Sequence, residues 1–556
     1  MIYTVCASWL CGADLLSLKE MRVSVKKVYF PFIVLAVALQ STCGRIGYES
    51  VEIKFDSDTG TGGDTDTDSD TDTDTDTDSD TDIDTSTDTE IDTGLEIHDP
   101  LGDASSFSFV FPYRGRIWMG PRRDGTGAVT LQPGATAVSS VSFSFVRDVA
   151  GDNRHRNVAT APYPGIGATG CQVGTHSCGP DDENGRGLFF SGTVRGEEWL
   201  VVAGGRSDGD LDYVYMTKDN DDVLNFQYVD MSDSMGPQTK GFSALHIFDN
   251  RVYFGAPDTG GRRPYLMMIV NLPEGSGMDA SGNIADRFND QPCDPKKHDV
   301  CTLRTDMLPG IGLSAEAAMI DSITDFTGRL YVANNGGVAR SRVAQPLDAF
   351  NYPEHWALIT PSNSDYTGLT SIATTKTANI EPADKAVPAM VVFRDRLFLA
   401  RNTTLGPQLW VCDPATVSGP APATSTDCDS GDWKLVAPNR SLNRRLTQFD
   451  NGSNSVISFL QASADYLYIG FDNRRDGVAL FRTASANPAM ADFEGDGGCP
   501  ALDHPTTCEG IGGDGFGSSG NSRILSATIV STEKNEYLYA IVGNGTGPVR
   551  LVAQIQ

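Results

Sequence analysis

Seven times between residues 105 and 556 the chain repeats one local pattern. A β-rich run is followed by a turn rich in Gly, Asn, Asp or Arg, and then in most cases by a second β-rich run. The seven are GRIWMGPRRDGTGAVTL from Gly115, EWLVVAGGRSDGDLDYVYM from Glu198 and NRVYFGAPDTGGRRPYLMMIV from Asn250. GRLYVANNGGVARS from Gly328, DRLFLARNTTLGPQLWVC from Asp395, DYLYIGFDNRRDGVALFR from Asp465 and EYLYAIVGNGTGPVRLV from Glu536 complete the set. Each reads as a hairpin of β-branched and aromatic residues, with Gly or Asn where the turn needs positive φ. The 58 glycines and the low share of charged residues (21%) fit short strands and many turns.

A further apolar run precedes most hairpins (GLFFSGTV, GFSALHIF, MIDSITDF, AVPAMVVF, SVISFLQA, RILSATIV), and NFQYVDM, HWALITP and DWKLVAP follow three of them. Four antiparallel strands per unit, repeated, is the pattern of a propeller blade. Leu330, Leu397, Leu467 and Leu538 recur at spacings of 67, 70 and 71 residues, while Leu200 and Val252 are only 52 apart. The all-β domain from 105 to 556 resembles a seven-bladed β-propeller. It carries no WD series, no Kelch double glycine and no Asp-box series, so no particular propeller family is implied. The last unit ends after its third strand, and Phe107–Tyr113 (FSFVFPY) is the expected source of a closing strand. A pair of β-sandwiches or a β-solenoid is the competing architecture.

Met21 reads as the start of a signal segment. Arg22, Lys26 and Lys27 precede an apolar run from Val28 to Leu39, and QSTC ends at Cys43. The run is shorter than the about 20 residues of a membrane-spanning helix. The segment resembles a bacterial lipoprotein signal, which implies lipidation of Cys43 and a membrane anchor, although Gln40 stands where that family usually has Leu. Cleavage after Ala36-Val37-Ala38, giving a secreted protein, is the alternative. The reading gives three parts: 1–43 as signal, 44–104 as a disordered linker, and 105–556 as the propeller.

The linker's stretch from 56 to 92 holds 16 acidic residues and no basic one, about half of the chain's net charge of −30. With almost nothing apolar to bury it is expected to stay unfolded and extended, a spacer lifting the domain off a membrane. Alternating carboxylates resemble fragments of a calcium loop, but the Gly and closing Glu of an EF-hand are missing at the required spacing. No cofactor is expected, with calcium kept as the alternative. The rest of the chain is mildly acidic and offers no basic stripe for nucleic acid.

Eight cysteines fall into close pairs: Cys171 and Cys178, Cys293 and Cys301, Cys412 and Cys428, Cys499 and Cys508. Such local pairs read as loop-stapling disulfides, which need an oxidising compartment. His176, His298 and His504 stand within three of these segments, giving Cys/His triplets that could in principle ligate zinc; disulfides are the stronger expectation outside the cytoplasm.

Turns between second and third strands share one face of a propeller. Arg122, Arg123, Arg206, Arg262, Arg263, Arg474 and Arg475 fall in such turns, and Arg401 stands close to one. Guanidinium groups pair bidentately with carboxylate or phosphate, so these residues outline a candidate face for an anionic glycan, an envelope component or a protein. The plain alternative is solvated turn arginines, some paired with Asp124, Asp208 and Asp476. The one G-x-S-x-G match, centred on Ser207, sits in a hairpin turn and not in the strand-to-helix elbow a nucleophile needs. The leading expectation is therefore an exported, tethered binding protein at the outer membrane or cell surface. A polysaccharide hydrolase or lyase and a structural scaffold stand as alternatives.

Overall fold

The computed structural model describes the strands and tight turns from Gly94 to Ile555, continuously over 451–543. Residues 1–93, 146–187, 231–243, 271–283, 305–319, 343–352, 362–383, 415–426 and shorter stretches between strands lie outside the described residues. The proposed signal, its Cys43 and the Asp/Thr stretch are among them.

β1 (Gly94–Glu96) is followed by a first unit of β2 (Phe109–Tyr113), β3 (Arg116–Gly120), β4 (Gly127–Leu131) and β5 (Val138–Phe145). The second has β6 (Leu188–Val194), β7 (Glu197–Ala203), β8 (Tyr213–Thr217) and β9 (Val223–Asp230). The third has β10 (Ala244–Phe248), β11 (Arg251–Ala256), β12 (Tyr265–Ile269), β13 (Ile284–Asp286) and β14 (Val300–Arg304). The fourth has β15 (Ser322–Phe326), β16 (Arg329–Asn334), β17 (Gly337–Ser341) and β18 (Trp356–Leu358). The fifth has β19 (Asp384–Phe393), β20 (Arg396–Thr403), β21 (Gly406–Cys412) and β22 (Trp433–Ala437), with a separate hairpin β23 (Arg440–Leu442) and β24 (Arg445–Thr447) after it. The sixth has β25 (Asn454–Ala462), β26 (Leu467–Asn473) and β27 (Ala479–Thr483), and the last β28 (Arg523–Ser531), β29 (Glu536–Gly543) and β30 (Arg550–Ile555).

The fold is an all-β propeller. The first strand of each unit packs on the first strands of its neighbours, and β28 packs on β2, which closes the ring. Where the sequence suggests seven separate blades, the described residues form six sheets of three or more strands. The difference arises in the first half, where β5 and β9 pair in parallel and merge two four-stranded units into one eight-stranded sheet. The closing strand also differs from expectation. Phe109–Tyr113 is the first strand of the first unit, and β1, from the stretch read as linker, pairs antiparallel with β30 instead. A three-residue edge pairing is made by backbone groups alone, so Gly-Leu-Glu gives no sequence signal for it.

Buried side chains gather between successive units, so a middle strand such as β26 is covered on both faces and is buried along its whole length. The last cluster joins Val110, Ile117, Met119, Val129 and Leu131 of the first unit to Tyr539 and Ile541 of the last.

Five units share a two-residue turn between first and second strands with both central residues at positive φ. These are Arg114-Gly115, Arg195-Gly196, Asp249-Asn250, Thr327-Gly328 and Arg394-Asp395. This is the type I′ geometry, whose twist matches that of the flanking strands. Five residues after the last residue of the first strand comes a buried aromatic. Four of the pairs are aromatic at both ends: Tyr113–Trp118, Phe248–Tyr253, Phe326–Tyr331 and Phe393–Phe398, with ring centroids 5.7, 6.4, 6.1 and 6.3 Å apart. Two of the turn arginines reach the next unit. Arg114 donates to the carbonyls of Glu198 and Lys218, and Arg394 to those of Asp465 and Ala484.

Each first strand has one edge unused by its own sheet. Side chains of the adjacent unit complete it. Asn402 accepts from Ile457 N (2.9 Å) and donates to Ile457 O (3.0 Å), imitating a strand partner. Gln461 treats Ile529 in the same way, at 3.1 and 3.4 Å. Ser322 Oγ donates to Val387 O and Asp321 accepts from Val387 N. Ser526 Oγ accepts from Val110 N at 3.1 Å, across the ring closure.

Asn402→Ala leaves both polar groups of buried Ile457 without their partner and should lower unfolding stability by about 1–3 kcal/mol. Asn402→Asp should cost at least as much, since it removes the donor and buries a charge. Chemical denaturation measures both, and an unchanged midpoint in either variant would contradict the role.

Candidate functional site

Of the eight candidate arginines, Arg474 and Arg475 occupy the place expected of them. Both are exposed in the turn between β26 and β27. Arg401 does not. β20 continues past it to Thr403, so it lies within the strand rather than in the turn and is fully buried. It is removed from the candidate face. Arg122, Arg123, Arg206, Arg262 and Arg263 lie outside the described residues, as do Ser207, His176, Cys171 and Cys178.

The turn is fixed from beneath. Asn473 is fully buried, and its Oδ1 accepts from the backbone N–H of Arg475 (2.9 Å) and Asp476 (3.0 Å). This is the local side-chain-to-backbone bonding that lets Asn hold a turn. Its Nδ2 donates to Asn454 (3.0 Å) and Asp476 (3.1 Å). Asn451 donates to the same Asp476 oxygen at 3.0 Å and lies 3.2 Å from His504 Nδ1. His504 Nε2 is 2.9 Å from Asp514. A proton on Nε2 lets the ring donate to Asp514 and accept from Asn451, which satisfies both nitrogens of a buried imidazole. Gly477 has φ +101, and a Cβ there would come within 2.6 Å of the Gly515 Cα, so only glycine allows this turn to touch the following loop.

That loop, 484–522, replaces the fourth strand of its sheet. Arg482 and Glu494 exchange backbone hydrogen bonds, and Ile511 and Gly515 donate to the carbonyls of Leu480 and Val478. Its own charges are Asp492, Glu494, Asp496, Asp503, Glu509 and Asp514, with no Lys or Arg. The Arg474–Arg475 pair is therefore a local basic feature beside an acidic loop. The nearest carboxylate to Arg475 is Asp476, 3.6 Å from Nε. Both carboxamides bond Asp476 Oδ2, which leaves Oδ1 to Arg475; the expected Arg–Asp pair is present but long, and the Arg475 side chain is 81% exposed.

One further ionisable group lies under the turn. Asp472, the residue before Asn473, is 7% exposed and accepts from Ile524 N at 3.2 Å, which ties β26 to β28. Burial pushes its carboxyl up to about 6, against the opposing pull of the Ser458 hydroxyl, of that backbone hydrogen bond and of Arg523 and Arg474. Sequence inspection passes over Asp472 because its neighbours read as an ordinary charged turn; only the burial of the whole strand distinguishes it.

Among the described residues three disulfides are present: Cys293–Cys301, Cys412–Cys428 and Cys499–Cys508, with Cα atoms 5.7, 6.0 and 5.5 Å apart. Cys301 and Cys412 stand in strands, so these two tie a loop to a sheet. His298 Nδ1 accepts from Asp294 N and His504 belongs to the network above, so neither completes a Cys/His ligand set with its bonded cysteines.

No protein-family model matches the chain. No curated protein matches it either. Among solved structures it is similar to the extracellular domain of a hybrid two-component system from B. thetaiotaomicron, at 11% identity and a TM-score of 0.39. That match covers 83% of this chain, which spans 39% of the other's length. The Pan2 WD40 domain of Neurospora crassa matches at 10% identity and a TM-score of 0.36, covering 81% of this chain and 89% of that one. The β-propeller domain of Myceliophteria thermophila Cps50 (Swd1) matches at 11% identity and 0.37, covering 81% and 97%.

The raised Asp472 has a consequence for stability. The folded state holds its proton up to about pH 6, whereas an unfolded aspartate releases it near 3.8. The stabilisation is complete below the lower value and lost as pH rises through the upper. Asp472→Asn keeps an acceptor for Ile524 N and removes the ionisation. It should be more stable than the parent above pH 7, by up to about 3 kcal/mol, with the difference vanishing below pH 4. Thermal unfolding between pH 4 and 8 reads this, and parallel stability curves for the two proteins would contradict it.

Proposed function

We propose that this chain is an exported, tethered binding protein whose propeller takes an anionic ligand through the face bearing Arg474 and Arg475. The observation that carries the reading is two adjacent exposed guanidinium groups on a turn locked by Asn473, Asp476 and Asn451. A rigid turn presents its cations without first ordering a loop, which is what favours binding over mere solvation. Guanidinium pairs suit carboxylate, sulfate or phosphate, so the ligand class is an acidic glycan, a charged envelope component or an acidic protein segment.

Export is supported by three disulfides, which persist in oxidising compartments. The basic-then-apolar segment from Arg22 to Leu39 agrees with it, and Cys43 is the proposed lipid-bearing residue. On this reading the acidic stretch between them is the spacer.

Binding should be seen with polygalacturonate and dextran sulfate and not with uncharged dextran. Replacing both Arg474 and Arg475 by Ala should weaken it about tenfold or more, and added salt should weaken the parent protein's binding. Isothermal titration checks this, and equal affinity of parent and double variant would contradict the assigned face. For the anchor, Cys43→Ala should move the protein from the membrane to the soluble fraction while the disulfides still form. Fractionation with labelled palmitate reads this, and a variant that stays membrane-bound would contradict lipidation at Cys43.

A further inference from the structure

A buried ionisable group stands two residues from Arg474. Asp472 is buried at the end of β26 that leads into the Arg474–Arg475 turn, with its carboxyl on Ile524 N of β28. The charged groups acting on it are Arg523, from β28, and Arg474, from its own turn. β25 presents to it two hydroxyls, Ser455, which donates to the Asp472 backbone carbonyl, and Ser458, which faces the carboxyl, and has no ionisable residue. The loop packed on the turn contributes His504 and Asp514, which bond each other, and Asp476 lies on the far side of Arg475.

We propose that the ionisation state of Asp472 sets the anion affinity of the Arg474–Arg475 turn, so that this face holds anions more tightly in mildly acidic surroundings than in neutral ones. The inference rests on the proposed function above and adds its regulation. When Asp472 is ionised, its buried negative charge offsets Arg474 and Arg523 and repels an incoming anion. A low-dielectric setting makes that offset larger than it would be in water. When Asp472 takes up a proton, the rim gains one unit of positive charge. The hydrogen bond to Ile524 N survives, because a carboxyl still accepts through one oxygen. The turn therefore changes its charge without changing its fold. Burial holds the Asp472 carboxyl near 6, which places the change within the range a cell envelope meets.

The test is dextran sulfate binding by the full chain at pH 5.5 and pH 7.5, in the parent and in Asp472→Asn. The sulfate groups stay ionised throughout, so the ligand's charge is constant. The parent should bind about threefold to tenfold more tightly at the lower pH. Asp472→Asn should bind at both values as the parent does at pH 5.5. Titration of histidines elsewhere acts on both proteins alike, so the contrast between them is the readout. If the variant keeps the parent's pH dependence, or if the parent binds equally at both values, this inference falls and the proposed face stands. If neither protein binds dextran sulfate at either pH, both fall together.

Discussion

The ring depends on how the free edge of each first strand is satisfied. A strand that pairs on one side only leaves a row of buried peptide groups on the other, and such groups are costly without partners. Here side chains of the adjacent unit supply them. The carboxamides of Asn402 and Gln461 offer one donor and one acceptor in the spacing of a peptide, and each binds both polar groups of a single residue opposite. Ser322 with Asp321, and Ser526, perform the same task at other joints. Ser526 matters most for closure, because it joins residues 416 positions apart in the chain.

Asp472 belongs to this set, since it too satisfies a first-strand N–H of the next unit. It is the joint placed under an exposed pair of arginines. A carboxylate does the structural work of a carboxamide there, and it adds a charge that depends on surroundings. Structure and proposed function thus meet in one residue, and the rigidity of the turn follows from the neighbours that hold Asn473 and Asp476. Tyr539, whose hydroxyl accepts from Gly134 N, adds a second polar tie at the closure, and burial raises its phenol above the ordinary range.

Strand-level structure was legible in the sequence because a blade is built from local hairpins. Every quoted hairpin corresponds to the paired second and third strands of a unit, and the spacing of Leu330, Leu397, Leu467 and Leu538 marks equivalent second strands. An apolar or aromatic residue, two turn residues, and an aromatic five positions on recur in YRGRIW, VRGEEW, FDNRVY, FTGRLY and FRDRLF. What stayed hidden was long-range. The parallel pairing of β5 with β9 and the docking of Gly94–Glu96 on β30 join strands far apart in the chain through backbone pairing. Arg401 does stand close to a turn, two residues before the end of β20, but it is buried there, because strand length and not composition decides whether such a residue reaches solvent. The significance of Asp472 lay in burial by a neighbouring unit, which no local window contains.

The first and last units are neighbours in a closed ring. Pulsed dipolar spectroscopy tests it through labels on introduced cysteines, with Arg116→Cys common to both samples. One sample adds Lys534→Cys in the last unit, and the other adds Arg329→Cys in the fourth. A closed ring predicts that the 116–534 distance is the shorter of the two. A longer 116–534 distance than 116–329 would mean an open stack of hairpins and would rule out a closed ring.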